Sequence, residues 1–267
     1  MNTLYKYTRI NDNTINSLID HYAWYARPST LNDPFDGGLS QSLMGGTDQW
    51  GILSLSALND NVIMWSHYAD SHRGVCIEYT DYRDEQLQQD ALQSSINPFK
   101  EEVDTLPIVR NALPVRYLDT AELNNEIALL PQSLDEFNTV LTDYNTGPLT
   151  DEKYRNGFIV RSMRSLFLKH RDWAYEKEYR IVTNEGAKAI AAPGIVTTIF
   201  LGMNCTSSQC QQIFRVGAAI GAKVAKMERI PGKYQIAPRD LSGEEKSRGK
   251  LDFSRPINRY LEKFGAL

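Results

Sequence analysis

The segment that most constrains this chain is residues 52–79, ILSLSALNDNVIMWSHYADSHRGVCIEY. Alternation puts Ile52, Ser54 and Ser56 on one side of a strand and Leu53 and Leu55 on the other. Asn59, Asp60 and Asn61 are helix-start residues, so the spacing predicts a helix running to Ala69. Gly74 closes the link, and residues 75–79 form a second strand. The helix is crowded with Met64, Trp65, His67 and Tyr68. Met64, His67 and Tyr68 share one face at i, i+3 and i+4, and Trp65 lies beside Tyr68 and Ala69. Two readings follow: an aromatic core helix, or one wall of a pocket whose floor is the Ser54/Ser56 strand. The polar ends of Trp, His and Tyr need hydrogen-bond partners in either case.

The segments before this unit alternate type. Residues 4–7 read as a strand, residues 11–14 as a helix cap ahead of an Ile15, Leu18, Ile19 stripe, and residues 22–25 as a returning strand. Residues 27–38, RPSTLNDPFDGG, hold two prolines and a glycine pair, which exclude regular structure over much of the loop. Ordered polar loops of this kind often carry sites.

Beyond the unit, residues 81–95 read as a solvated helix and residues 113–117 as an edge strand, because Pro114 cannot donate to a ladder. Residues 119–150 read as an acidic insertion or lid. Helical spacing of Phe158, Ile159, Met163, Leu166, Phe167 and His170 predicts an amphipathic helix over 151–172, with Arg155, Arg161, Arg164, Lys169 and Arg171 on its outer face. Glu176, Glu178 and Arg180 alternate along a strand entry. Their carboxylates share a side, so one binds its proton more tightly unless Arg180 intervenes. Residues 194–203 are the strongest buried strand. A helix over 205–219 and strands at 223–227 and 234–236, around a Pro231-Gly232 turn, complete the body.

Hairpins mixed with helices, without steady βαβ alternation, predict an α+β fold: a mixed, mostly antiparallel sheet with flanking helices. The expected organisation is one domain over residues 1–237, then a linker and short terminal helix over 238–267. A net charge of -4 leaves no overall footprint for nucleic acid. The three cysteines fit no zinc spacing, and reduced thiols in the cytoplasm are the expectation. No apolar run of about 18 residues suggests a membrane span, and no leader is expected. No Walker A, G-x-G-x-x-G, H-E-x-x-H or G-x-S-x-G pattern is present. His67 and His72 fall off a shared helix face, so no metal is expected.

The motifs LYKY, LNDPFD, ILSLSA, MWSHYADSHRGVCIEY, W-x-x-E-x-E-Y-R and IFLG, spread over residues 4–236, resemble a bacterial family of unknown function. The opening LYKYTRINDNTINSLIDH and YAWYARPSTLND also resemble the DarT-type DNA ADP-ribosyltransferases. Such enzymes build an NAD pocket from a basic residue on the first strand, a Ser-Thr-Ser-like strand before a helix, and a Glu, often in E-x-E, at a strand entry. Lys6 with Tyr7, Ser54-Leu55-Ser56 and Glu176-x-Glu178 fall in that order. Lys6 stands where those enzymes carry Arg, and the central Thr is replaced by Leu55.

That resemblance implies an ADP-ribosyltransferase-like fold and cleavage of the nicotinamide–ribose bond of NAD, as in a toxin or phage-defence effector. Glu178, with Glu176, would hold a ribose hydroxyl and stabilise the developing cation. Ser54 or Ser56 would orient the ribose, Lys6 or Arg27 would meet the pyrophosphate, and Trp65 or Tyr68 would stack on a ring. The acceptor is left open among protein, nucleic acid and water. The competing readings are a non-catalytic nucleotide or nucleic-acid module using Arg27, Trp65, His67 and the basic 155–171 segment, and a scaffold for a partner protein.

Overall fold

The computed structural model describes residues 3–36, 50–81, 108–130, 165–183 and 185–241. The expected α+β class is what it shows. An eight-stranded, mostly antiparallel sheet runs in the order β12-β11-β10-β4-β1-β3-β8-β5. Its strands are β1 (Thr3–Thr8), β3 (Gly51–Ser56), β4 (Val75–Thr80), β5 (Leu113–Pro114), β8 (Glu178–Thr183), β10 (Ile195–Leu201), β11 (Lys223–Arg229) and β12 (Ile236–Asp240). Within this sheet, among the described residues, only β10 and β11 pair in parallel, joined across helix α4 (Ser207–Ile220). Two small ladders attach to this body: β2 (Tyr22–Tyr25) with β9 (Lys188–Ala191), and β6 (Arg116–Leu118) with β7 (Leu168–His170).

Register decides what each side of the sheet buries, because directly opposed residues point the same way. Leu4 faces Tyr79, and Lys6 faces Ile77. Leu4, Val75, Ile77 and Tyr79 pack with Leu18 of helix α1 (Asp12–Ile19) and with Ile213 and Val216 of α4. On the other side, Tyr7, Cys76 and Phe200 pack with Met64 and Trp65 of helix α2 (Val62–Tyr68). Asn61 caps α2 by accepting from the Ile63 and Met64 amides, and its own amide holds the Tyr175 carbonyl at 2.8 Å.

The link from α2 to β4 places Asp70, Ser71 and His72 at positive φ, all three non-glycine. Gly74 then passes too close to β1 for a side chain: a Cβ there would lie 2.2 Å from the Thr8 carbonyl oxygen. Gly74→Ala is expected to destabilise the fold by about 1–3 kcal/mol, read as a lower urea midpoint at unchanged slope.

Several expectations need correction. Residues 168–170 form β7 and residues 171–176 a 3-10 turn, so the helix expected over 151–172 does not reach its own end. Apolar spacing cannot separate a strand from a helix over so few residues. The edge strand expected at 113–117 breaks at Val115, whose amide donates to the Glu178 carbonyl, leaving β5 at the sheet edge and β6 in another ladder. Part of the 119–150 segment is helix α3 (Thr120–Ala128), closed by an Asp119/Glu122 capping box. The last strand begins at Ile236 rather than Tyr234 and runs to Asp240. Residues 82–95, 131–164, including Arg155, Arg161 and Arg164, and the tail from 242 lie outside the described residues.

Candidate functional site

Strand β3 has one edge fully paired with β8, and it divides the other. At its end, Ser56 opposes Tyr5 of β1, the single register pair between those strands. At its start, Ile52 exchanges both backbone hydrogen bonds with Ala26, just after β2. β1 and β2 therefore fork from the same edge. Lys6 bridges the gap where the β1–β3 ladder stops: its Nζ donates to the Ser54 carbonyl at 2.9 Å.

A cavity of about 330 Å3 opens at this fork. Lys6, Tyr7, Ser54, Ser56, Tyr68, Glu176 and Glu178 all line it. The geometry thus brings together residues from three distant segments. Trp65, Arg27 and His67 do not line it. Trp65 is fully buried, edge-on to Tyr7, with its Nε1 donating to the Asn59 carbonyl, so it has no face left for a ligand. Arg27 is exposed on the loop outside the cavity. His67 points outward, its Nδ1 3.2 Å from the Tyr175 hydroxyl.

A buried charge cluster of three carboxylates and two cations forms one wall of the cavity: Asp36, Lys169, Glu176 and Glu178 line it, and Arg180 lies behind them. Arg180 has no exposed surface. Its Nε and Nη2 grip Glu178 at 2.8 and 2.9 Å, Nη2 also reaches Asp36 at 2.6 Å, and Nη1 donates to the Leu166 carbonyl. Lys169 Nζ sits 2.6 Å from Glu176, 3.3 Å from Asp36 and 3.4 Å from Glu178. Lys169 also lies over the Trp173 ring, 4.7 Å from its centroid. The expectation that Lys169 sits on a solvated helix face is therefore overturned. A buried ammonium needs carboxylate partners, and the β7 position supplies three.

The two site carboxylates titrate apart. Burial pushes both upward, but the bidentate guanidinium of Arg180 outweighs it at Glu178 and holds that carboxyl down at about 2. For Glu176 burial prevails over Lys169 and its carboxyl is raised. Glu176 also accepts from the Tyr68 hydroxyl, to which the Asn32 amide donates at 2.6 Å. The Ser56 hydroxyl is committed to the Glu176 carbonyl at 2.6 Å, so it positions the acid and is not presented to a ligand. Ser54 is partly buried, and its hydroxyl helps to hold the Glu178 carboxyl down. Burial lowers the Lys6 ammonium, partly offset by the charge of Glu178.

Sequence reasoning missed Lys169, Asp36 and Asn32. The LNDPFD loop carried the only signal. Asp33 holds the Phe35 amide at 3.0 Å, a turn that delivers Asp36 to Arg180.

Residues 64–181 match a family described as protein of unknown function, DUF2971. The DUF2971 match takes in Tyr68, Lys169, Glu176, Glu178 and Arg180, and leaves Lys6, Asp36, Ser54 and Ser56 outside it. No curated protein and no solved structure matches the chain. Among the described residues, no helix is long and apolar enough to cross a membrane, and no group of His, Cys, Asp and Glu side chains is arranged to hold a metal ion.

Proposed function

We propose that the fork cavity binds NAD and breaks its nicotinamide–ribosyl bond, transferring ADP-ribose to an acceptor or to water, as in a bacterial toxin or phage-defence effector. The observation that supports this reading is the convergence of Lys6, Ser54 and the Glu176/Glu178 pair on one cavity. A pair of carboxylates whose surroundings drive their proton affinities apart is the usual arrangement for divided acid–base labour. Glu178, held ionised, stabilises the positive charge that grows on the ribose as the C1′–N bond breaks and its electron pair leaves with nicotinamide. Glu176 takes the proton of the incoming nucleophile as the new bond to C1′ forms. Lys6 meets the anionic pyrophosphate, and Tyr68 and Asn32 hold Glu176 in place.

The test is to incubate the full chain with NAD, alone and with candidate acceptors, and to quantify free nicotinamide. Release that depends on Glu176 and Glu178 supports the reading. Absence of release with every acceptor, or release unchanged by Glu178→Gln and Glu176→Gln, overturns it.

A further inference from the structure

A second cavity, of about 440 Å3, lies on the α1 side of the sheet. It shares Lys6, Thr8 and Trp24 with the fork cavity, so the two adjoin across the gap between β1 and β2. The gap exists because β1 and β3 are paired at a single position. The Lys6 side chain starts on the α1 side, opposite Ile77, yet its ammonium reaches the Ser54 carbonyl. It is a half-buried cation on the boundary of both cavities, and among the described residues it forms no ion pair.

The chemistry of the second cavity differs from that of the first. It has no carboxylate in its lining. Tyr22 and Trp24 stand on one side of β2, and the Trp24 indole is 56% exposed, an unusual position for so large an apolar surface. Arg9 and Asn13 are exposed on the β1–α1 side. A flat aromatic surface, an amide and a guanidinium around a lysine with no ion-pair contact among the described residues suit a base, a ribose and a phosphate. The fork cavity alone sits at the low end of the volumes that enclose a drug-sized ligand. A dinucleotide must extend beyond it.

We propose that this second cavity binds a nucleoside monophosphate unit, the adenylate half of the dinucleotide whose nicotinamide half occupies the fork cavity. This inference rests on the NAD reading above. The ligand threads the gap with its phosphates against Lys6, the base stacks on Trp24, and Arg9 closes on the phosphate from the rim.

Titration calorimetry on the full chain with AMP, nicotinamide mononucleotide and NAD tests it, with nicotinamide release measured on the same samples. Arg9 and Trp24 are exposed, so Arg9→Glu and Trp24→Ala should fold, which thermal melts verify. AMP affinity is expected to fall roughly tenfold or more in both variants. Nicotinamide mononucleotide is expected to stay within about threefold of wild type in Arg9→Glu, because it does not reach Arg9. Lys6→Met should weaken both mononucleotides, since each presents its phosphate to that ammonium. AMP that fails to bind at millimolar concentration, or binds both surface variants as it binds wild type, overturns the second site. Nicotinamide release persisting in that case leaves the NAD reading intact. Conversely, Arg9-dependent AMP binding without nicotinamide release upholds the site and removes the chemistry.

Discussion

Under the proposed cleavage of NAD, exchange of Glu176 for glutamine is expected to lower nicotinamide release by roughly 10²- to 10⁴-fold, the usual contribution of a positioned proton acceptor. Glutamine keeps the shape of the side chain and can still accept from Tyr68. The base is lost at a cost in stability, because Lys169 loses its nearest carboxylate and keeps only Asp36 and Glu178. Glu178→Gln should cost more stability, since it removes the bidentate partner of the fully buried Arg180 as well as a contact to Lys169. The pH profile carries the sharper test. Glu176 binds its proton more tightly than an ordinary carboxyl, so the basic form accumulates, and the rate rises, above the usual carboxylate range. The hydrogen bond from Tyr68 favours the ionised form. Tyr68→Phe should consequently move the rising limb to still higher pH, and a limb that stays put or moves down would remove Glu176 from the role of base.

Arg180→Met should cost about 3–5 kcal/mol of stability, the range observed when one partner of a buried ion pair is deleted. The reason is in the coordination. Asp36 and Glu178 would remain buried beside a single lysine, and the Leu166 carbonyl would lose its donor. Arg180→Lys should recover little, because an ammonium cannot hold Glu178 with two parallel bonds and reach Asp36 and Leu166 as well. The check is urea unfolding at neutral pH. Combining Arg180→Met with Glu178→Gln should cost less than the sum of the two.

Acid should act through the same pair. Glu178 has a folded pKa of about 2, below its unfolded value, so its contribution is complete above the ordinary carboxylate range. That contribution drains away as pH falls from about 5 toward 2. Glu176 works in the opposite sense: its raised folded pKa favours the folded state at low pH, and that benefit is lost as pH rises through the folded value. Stability of the wild type should thus fall less steeply in acid than that of Glu176→Gln. Equal slopes in denaturation between pH 5 and 2 would contradict the division of roles between the two acids.

Much of the local structure was legible because it is encoded locally. The 52–79 unit reads as strand, helix, strand from alternation, an Asn cap and a glycine whose Cβ has no room. The same reading put Ser54 and Ser56 on one side of β3, and the pairing with Arg180 and Glu178 confirms that side. What it could not rank was Trp65 against Tyr68. Both are aromatic residues of one helix, and only packing against Tyr7 on one flank and Glu176 on the other separates a core side chain from a cavity wall.

Lys169 marks the limit most clearly. In sequence it is one of several basic residues at helical spacing, and nothing near it is acidic except Asp172, which it does not use. Its partners come from a loop well over a hundred residues earlier and from the turn and strand that follow it. Sequence by itself determined the element types of the 52–79 unit, the sheet class and the side of β3 that carries the serines, since these follow from short-range periodicity and capping. Tertiary structure alone decided that β1 and β2 fork from one edge of β3, that Lys6 fills the break, and that five charges share one buried cluster. Those depend on long-range strand pairing and on the cost of burying unpaired charge, and neither quantity is written in any local window of the chain.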